Sequence, residues 1–379
     1  MTENNSKVVL ILCNQSRILY LTRFELIKAL LDRGDTVYIS APKSPYSAPF
    51  TEAGCRMIDT PLDRRGLTPQ SDFKLRGVYV KIVKEIRPDI VLTFTVKPNV
   101  YGVRAAAKQG IPAIPTITGL GTSIQKRGLL QRFVFSLYRS TFRHVPAVFF
   151  QNTANAELFR LLGMARPTQI RLVAGSGVNL EKTPFQPYPE PEKPVRFLFI
   201  GRLMEEKGIN EYMEAAIRLR KDHPEVRFGI LGYSEESDIL GRVKKLNAEG
   251  TIDYFGYTGD VRPYIAEAHA VVLPSWHEGM ANTLLEAAAA GRPVIASNIA
   301  GCRETFCENQ TGLAIRPHDV ESLLRALTEF LALPHEKRAA MGAAGRAKME
   351  REFDRRKVVA DYLAEIDRVL GEKPLPPKD

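Results

Sequence analysis

The chain is 379 residues long, 44% hydrophobic and 25% charged, which excludes a disordered, collagen-like or coiled-coil protein and predicts two globular domains, because the length exceeds one comfortable core. Its net charge of +10 is lopsided: residues 1–186 hold 26 Lys and Arg against 12 Asp and Glu, a net of +14, while the remaining 193 hold 27 against 31, a net of −4. So basic a half points to an anionic partner (a membrane surface, a nucleic acid or a phosphorylated substrate), with plain solubility as the alternative.

Residues 1–6 are polar, and the apolar run that follows at 8–13 is too short to span a bilayer or act as a secretory leader, so a cytoplasmic location is expected. Short apolar runs at 8–12, 36–40, 90–94, 113–116, 147–150 and 170–173 read as strands of a parallel sheet. Amphipathic stretches at 23–33, 73–87, 101–109, 129–144 and 153–162 read as the intervening helices, several closing on a glycine such as Gly34, Gly110 or Gly163. Residues 183–194 carry five prolines in twelve positions, too many for a helix or a central strand, and read as a stiff interdomain linker. The βα rhythm then restarts, with strands at 196–200, 227–231, 252–255, 270–274 and 293–297. A tail at 356–370 has helical spacing whose packing partner stays open. The domains expected are therefore 1–182, the linker 183–194, and 195–379, both α/β, with ligands beyond the carboxyl ends of the strands in a cleft. Of the four cysteines, Cys13, Cys55, Cys302 and Cys307, only the last two lie close in sequence; they read as reduced thiols, with no metal site.

The loop after strand 196–200 runs from Gly201 to Gly208 and places Arg202 and Lys207 at a strand's carboxyl end, just before a helix. Gly201 permits close approach of a ligand, and the two cations suit a diphosphate: Arg by bidentate contact, Lys as a mobile point charge. A solvated loop with ordinary surface charges is the alternative. The loop after strand 270–274 holds Glu278 and leads into a short helix bearing Glu286, closed by Gly291 and Pro293. The N–H groups of Gly279, Met280, Ala281, Asn282 and Thr283 form an anion site at that helix start, and the flanking carboxylates can accept hydrogen bonds from sugar hydroxyls.

In this order and strand context, Glu278-x7-Glu286 after an S-x-x-E-G loop, preceded by G-R-x-x-x-x-K-G, resembles the retaining nucleotide-sugar glycosyltransferases of glycosyltransferase family 4 over essentially the whole chain. The stretch from Asn298 through Gly301 to Glu304 resembles that family's following loop, under the donor site. The resemblance implies the GT-B fold: α/β, two Rossmann-like domains with a cleft between them. It also implies retention of anomeric configuration without a protein nucleophile. Arg202 and Lys207 would neutralise the departing diphosphate, Glu278 would hold the donor sugar, and neither cofactor nor divalent metal would be needed. Many relatives carry a first-domain histidine and a glycine pair after the first strand. Here His144 alone precedes the linker, at a helix end, and Asn14-Gln15-Ser16 follows the first strand, so the place of a general base is open.

The Lys97-Pro98-Asn99 loop, Ile117-Thr118-Gly119-Leu120-Gly121 and the run from Val148 to Asn152 resemble transferases that extend undecaprenyl-diphosphate-linked sugars in bacterial protein N-glycosylation and capsule synthesis. That resemblance implies a UDP-sugar donor, UDP-N-acetylgalactosamine first, and a lipid-linked sugar acceptor. Gly119 and Gly121 would approach a phosphate, and Lys97, Asn99 and Arg23 would face the acceptor. A UDP-hexose or UDP-N-acetylglucosamine transferase of capsule or lipopolysaccharide synthesis remains open. Charge periodicity adds a separate argument: on the helix at 129–144, Arg132, Arg139 and Arg143 fall within a narrow arc, flanked by Phe135 and Phe142. Such a stripe suits an anionic inner-membrane surface, and Arg64, Arg65, Lys74, Arg76, Lys81, Lys84 and Arg87 add to it. The competing classes are a nucleotide-sugar epimerase or phosphorylase on the same scaffold, and a basic binding module. The module leaves Glu278 and Glu286 without a role, and no RNA-binding motif is present, so no nucleic-acid partner is expected.

Overall fold

Runs such as Val8–Leu12 and 197–200 are apolar at successive positions, so they need cover on both faces, which a parallel sheet between helix layers provides. The computed structural model, which describes residues 6–62, 69–119 and 128–371, contains two such sheets in two compact units. One unit is the chain up to Ser176 together with the stretch from Arg355 onward; the other is Gly177–Asp354.

The first unit has seven parallel strands: β1 (Val8–Leu12), β2 (Thr36–Ala41), β3 (Arg56–Asp59), β4 (Ile90–Phe94), β5 (Ala113–Ile117), β6 (Val148–Phe150) and β7 (Ile170–Leu172). Their order is β3-β2-β1-β4-β5-β6-β7, so the winding reverses beside β1, where Val9 faces Val37 on one side and Ile90 on the other. Helices α1 (Ser16–Asp32), α2 (Ala48–Glu52), α3 (Pro69–Ile86), α4 (Val103–Ala107), α5 (Leu129–Phe142) and α6 (Thr153–Leu161) connect the strands. A π-helical turn at Pro98–Gly102 leads into α4. Strand β3 has no apolar run to betray it: an edge strand, it carries Arg56 and Asp59 on exposed positions.

The second unit has six parallel strands: β8 (Arg196–Ile200), β9 (Arg227–Leu231), β10 (Asp253–Tyr254), β11 (Ala270–Leu273), β12 (Val294–Ser297) and β13 (Gly312–Ile315), in the order β10-β9-β8-β11-β12-β13. They alternate with helices α7 (Ile209–Asp222), α8 (Ser237–Ala248), α9 (Arg262–Glu267), α10 (Asn282–Ala289), α11 (Val320–Ala332) and α12 (His335–Glu352). The tail helix is α13 (Arg355–Leu370).

Two features move the domain boundaries away from those the sequence suggests. The proline-rich stretch 183–194 lies within the second unit. Arg292, fully buried, donates to the carbonyls of Gln186 and Pro187 as well as to those of Ile265, Ala266, Ala290 and Gly291. Its burial lowers its pKa to about 10. Arg346 adds a bond to the Thr183 carbonyl, and the His335 ring contacts the Pro189 carbonyl at 2.9 Å. Proline explains why this stretch is not helical; a guanidinium about a hundred residues later, at position 292, explains why it is not free.

The tail helix belongs to the first unit. Arg355 pairs with Glu25 at 2.9 Å and Arg33 with Asp367 at 2.6 Å, joining α13 to α1 at both ends. Between these pairs the Tyr362 ring lies 4.2 Å from that of Phe149, and its hydroxyl shares a 2.8 Å hydrogen bond with Thr116. Val358, Tyr362 and Ile366 are all buried, each contributing about 1.5–3 kcal/mol of transfer free energy.

Candidate active site

In the second unit the loops beyond β8, β11 and β12 converge because two glycines let their backbones touch. Gly208 has φ of +72°, and a Cβ there would sit 2.1 Å from the Pro274 carbonyl oxygen, so only glycine brings the β8 loop against the end of β11. Gly301, with φ of +84°, packs its Cα against Glu278, whose carbonyl a Cβ would meet at 2.8 Å. Lys207, the last residue of a 3-10 turn at Glu205–Lys207, thereby reaches Glu278: Nζ to Oε1 is 2.5 Å. Ser275 donates its hydroxyl to the same oxygen at 2.8 Å. Gly301 accepts from the Ala281 N–H at 2.8 Å and donates to Glu304 Oε2 at 2.7 Å, which fixes the β12 loop under the site.

Arg202 lies half-buried in the same β8 loop, beside Gly201, and has no hydrogen-bond or ion-pair partner among the described residues. The cations of the sequence motif thus divide: Lys207 is paired with Glu278, and Arg202 is available. The N–H patch at the start of α10 is narrower than five consecutive groups. Ala281 donates to Gly301, and Asn282 donates to the Met280 carbonyl at 3.1 Å, which leaves Met280 and Thr283 as the N–H groups of this patch. Glu286 sits half-buried one turn into α10. Burial, with Lys207 nearby, lowers the pKa of His277 and so favours a neutral ring next to Glu278. Ser275, the serine of the S-x-x-E-G loop, betrays its bond to Glu278 in the sequence only by its three-residue spacing from that residue.

The first unit corrects three expectations. Asn99 does not face a ligand: it is 1% exposed, accepts from the Thr93 hydroxyl at 2.7 Å and donates to the Thr116 carbonyl at 2.8 Å, tying β4 to β5. Arg23 is 3% exposed, with its guanidinium carbon 5.2 Å from the Phe94 ring centre and 5.4 Å from that of Tyr362. It is a packing residue between α1, β4 and α13. Phe142 is 0% exposed and packs on Tyr138 and Phe159, so it has no surface to offer a membrane, while Phe135 is half-buried against the same core. Arg132, Arg139 and Arg143 are exposed as expected, and the aromatic among them is Phe133, 60% exposed. Lys97 is held by Asp72 at 3.0 Å, and Asp72 also accepts from the Tyr101 hydroxyl at 2.9 Å, which together with burial raises the Tyr101 pKa to about 12. Gly119, with φ of +149°, lies just past β5; Gly121, Arg64 and Arg65 lie outside the described residues.

All four cysteines are free thiols. Among the described residues no group of three or more His, Cys, Asp or Glu side chains is placed to hold a metal ion, and no helix is long and apolar enough to cross a membrane.

Solved structures share this architecture along its whole length. A glycosyltransferase from Rickettsia africae superposes with a TM-score of 0.78 at 19% identity, covering 97% of this chain and 100% of that one. HepE of Anabaena, solved with UDP and glucose, gives 0.78 at 16% identity, with 97% and 100% covered. Residues 22–175 match the glycosyl transferase 4-like domain, and residues 181–348 match the glycosyl transferases group 1 domain. Fold and tandem domains define the class, a GT-B glycosyltransferase. Within that class the chain belongs to glycosyltransferase family 4, as its Glu278-x7-Glu286 motif indicated. Among individual proteins, it is 29% identical over 369 residues to the N,N'-diacetylbacillosaminyl-diphospho-undecaprenol alpha-1,3-N-acetylgalactosaminyltransferase of Campylobacter jejuni, covering 93% of this chain and 96% of that one. It is also 32% identical over 206 residues to a glycogen synthase of Mycobacterium tuberculosis, covering 53% of this chain and 48% of that one.

Proposed function

We propose that the chain transfers a sugar from a UDP-linked donor, N-acetylgalactosamine first among candidates, to an undecaprenyl-diphosphate-linked sugar, retaining the anomeric configuration without a metal. The observation that carries this is the meeting of Lys207 and Glu278, with Arg202 in the same β8 loop and without a partner among the described residues. In the proposed step the bond from the sugar's anomeric carbon to the diphosphate oxygen breaks, and its electron pair leaves with the diphosphate. Arg202 and Lys207 neutralise that charge, and Met280 and Thr283 at the start of α10 donate to it. Glu278, released from Lys207, accepts from sugar hydroxyls, and Glu286 accepts from the ribose. The acceptor hydroxyl attacks the anomeric carbon from the face the diphosphate leaves, and its proton passes to the departing oxygen.

The Campylobacter relative's name supports a lipid-linked acceptor, and UDP in the Anabaena structure supports a uridine donor. The exposed stripe of Arg132, Arg139 and Arg143 beside Phe133 supports a peripheral position on the inner face of the membrane, as do Lys74, Arg76, Lys81 and Lys84 on α3. Lys97 is the acceptor-side residue of this reading, exchanging Asp72 for a phosphate. The test incubates purified protein with UDP-N-acetylgalactosamine, UDP-N-acetylglucosamine, UDP-galactose or UDP-glucose, with and without a polyprenyl-diphosphate-linked sugar, in the presence of EDTA. Acceptor-dependent UDP release with an α-linked product is expected. Isomerised donor without acceptor would put an epimerase in its place, and loss of turnover in EDTA would overturn the metal-free mechanism.

A further inference from the structure

The loop that carries Glu278 runs between β11 and α10 with no sheet or helix hydrogen bonding of its own. A carboxylate that must meet one sugar ring needs a firmer mount than such a backbone provides, and the mount is Trp276. Its backbone N–H donates to the Glu206 carbonyl at 2.9 Å, joining the loop to the turn that ends at Lys207. Its indole N–H donates to Glu211 Oε1 at 2.8 Å, in the first turn of α7. The His318 ring covers the indole, with centroids 4.0 Å apart and planes inclined by 32°. One side chain therefore ties together the segments that follow β8, β11 and β13.

Two details show that this arrangement works against local preference. Glu211 is a buried carboxylate whose second oxygen, Oε2, has no hydrogen-bond partner among the described residues; an apolar residue there would avoid that desolvation. His318 has φ of +58°, in the left-handed region that residues other than glycine adopt uncommonly. Strain of both kinds persists where the surroundings over-determine a geometry that function uses.

We propose that Trp276 is a positioning residue: anchored by Glu211 and covered by His318, it fixes the loop from which Glu278, near Lys207, meets the donor sugar. The proposal rests on the donor-site reading above. Trp276→Phe keeps a ring under His318 but deletes the N–H, and it lowers kcat by about 10-fold while leaving KM for the donor within about 3-fold, since a small misplacement of a reacting group acts on turnover. Glu211→Gln, which still offers an oxygen to the indole, keeps most of the turnover, whereas Glu211→Ala matches Trp276→Phe, and the two losses do not add. His318→Gly separates positioning from folding: it relieves the left-handed strain, so the melting temperature holds or rises, yet kcat falls.

The sole tryptophan of the chain supplies a direct readout. UDP, the common product of all candidate donors, is titrated into the wild-type protein and followed by calorimetry and by indole emission. UDP binding with a shifted emission is expected. UDP binding with silent emission and wild-type kcat in Trp276→Phe and His318→Gly overturns this proposal alone. Losses of kcat that track losses of melting temperature also overturn it. No UDP binding overturns the donor reading and this proposal with it.

Discussion

The two units hold their polar residues for opposite purposes. In the second unit, charged side chains stand at the carboxyl ends of the strands, Lys207 against Glu278 and Arg202 without a partner among the described residues. In the first, residues of the same chemical kinds are turned inward: Arg23 lies between the Phe94 and Tyr362 rings, and Asn99 joins β4 to β5. The same fold therefore gives a polar residue after a strand no fixed meaning. What distinguishes the two settings is access: Arg23 and Asn99 are closed off from solvent, whereas Arg202 and Lys207 stay half-buried at a strand end that a ligand can reach.

Substitutions test this contrast. The largest effect is expected from Tyr362→Ala, which removes the ring on which Phe149 and Arg23 pack and should destabilise the first unit by about 3–5 kcal/mol in urea unfolding. An unchanged midpoint would mean that α13 is not part of that unit. Arg202→Ala or Lys207→Ala should lower kcat on the order of 10²–10³-fold, as for loss of a charge-stabilising donor, with little change in unfolding; wild-type turnover would remove either residue from the site. Asn99→Ala should do the reverse, costing roughly 2–3 kcal/mol of stability through its two buried hydrogen bonds while the folded fraction keeps its kcat. Activity lost at full stability would return Asn99 to the acceptor side and collapse the contrast. The smallest effect per residue belongs to the surface: reversing Arg132, Arg139 and Arg143 to Glu should weaken sedimentation with anionic vesicles by about 1 kcal/mol per residue, with transfer to a short soluble acceptor unaltered.

Much of this could be read from the sequence, for identifiable reasons. The central strands β1, β4, β8 and β9 are apolar at nearly every position, Thr93 and the leading Arg196 and Arg227 apart, because both of their faces are covered, and their limits follow directly from the residue pattern. The edge strands β3 and β13 escape notice, the one because it mixes Arg56 and Asp59 with two apolar residues, the other because it begins with a glycine. The candidate site is legible because its residues lie in loops after strands, where the backbone itself dictates convergence. Phe142 and Phe135 mislead because helical spacing gives only a direction around an axis. Which direction is inward depends on Tyr138, Phe159 and the rest of the core. The Glu211–Trp276 bond and the Arg292 clamp join residues 65 and about a hundred positions apart, with no spacing rule to reveal them.

The return of α13 to the first unit fixes the order in which the protein can be completed as it leaves the ribosome. When residue 176 has emerged, the β-sheet of the amino-terminal unit can already form, but Glu25, Arg33 and Phe149 still lack Arg355, Asp367 and Tyr362. The whole carboxyl-terminal unit must be synthesised before that face is closed, so the nascent first unit waits, partly open, for almost two hundred residues.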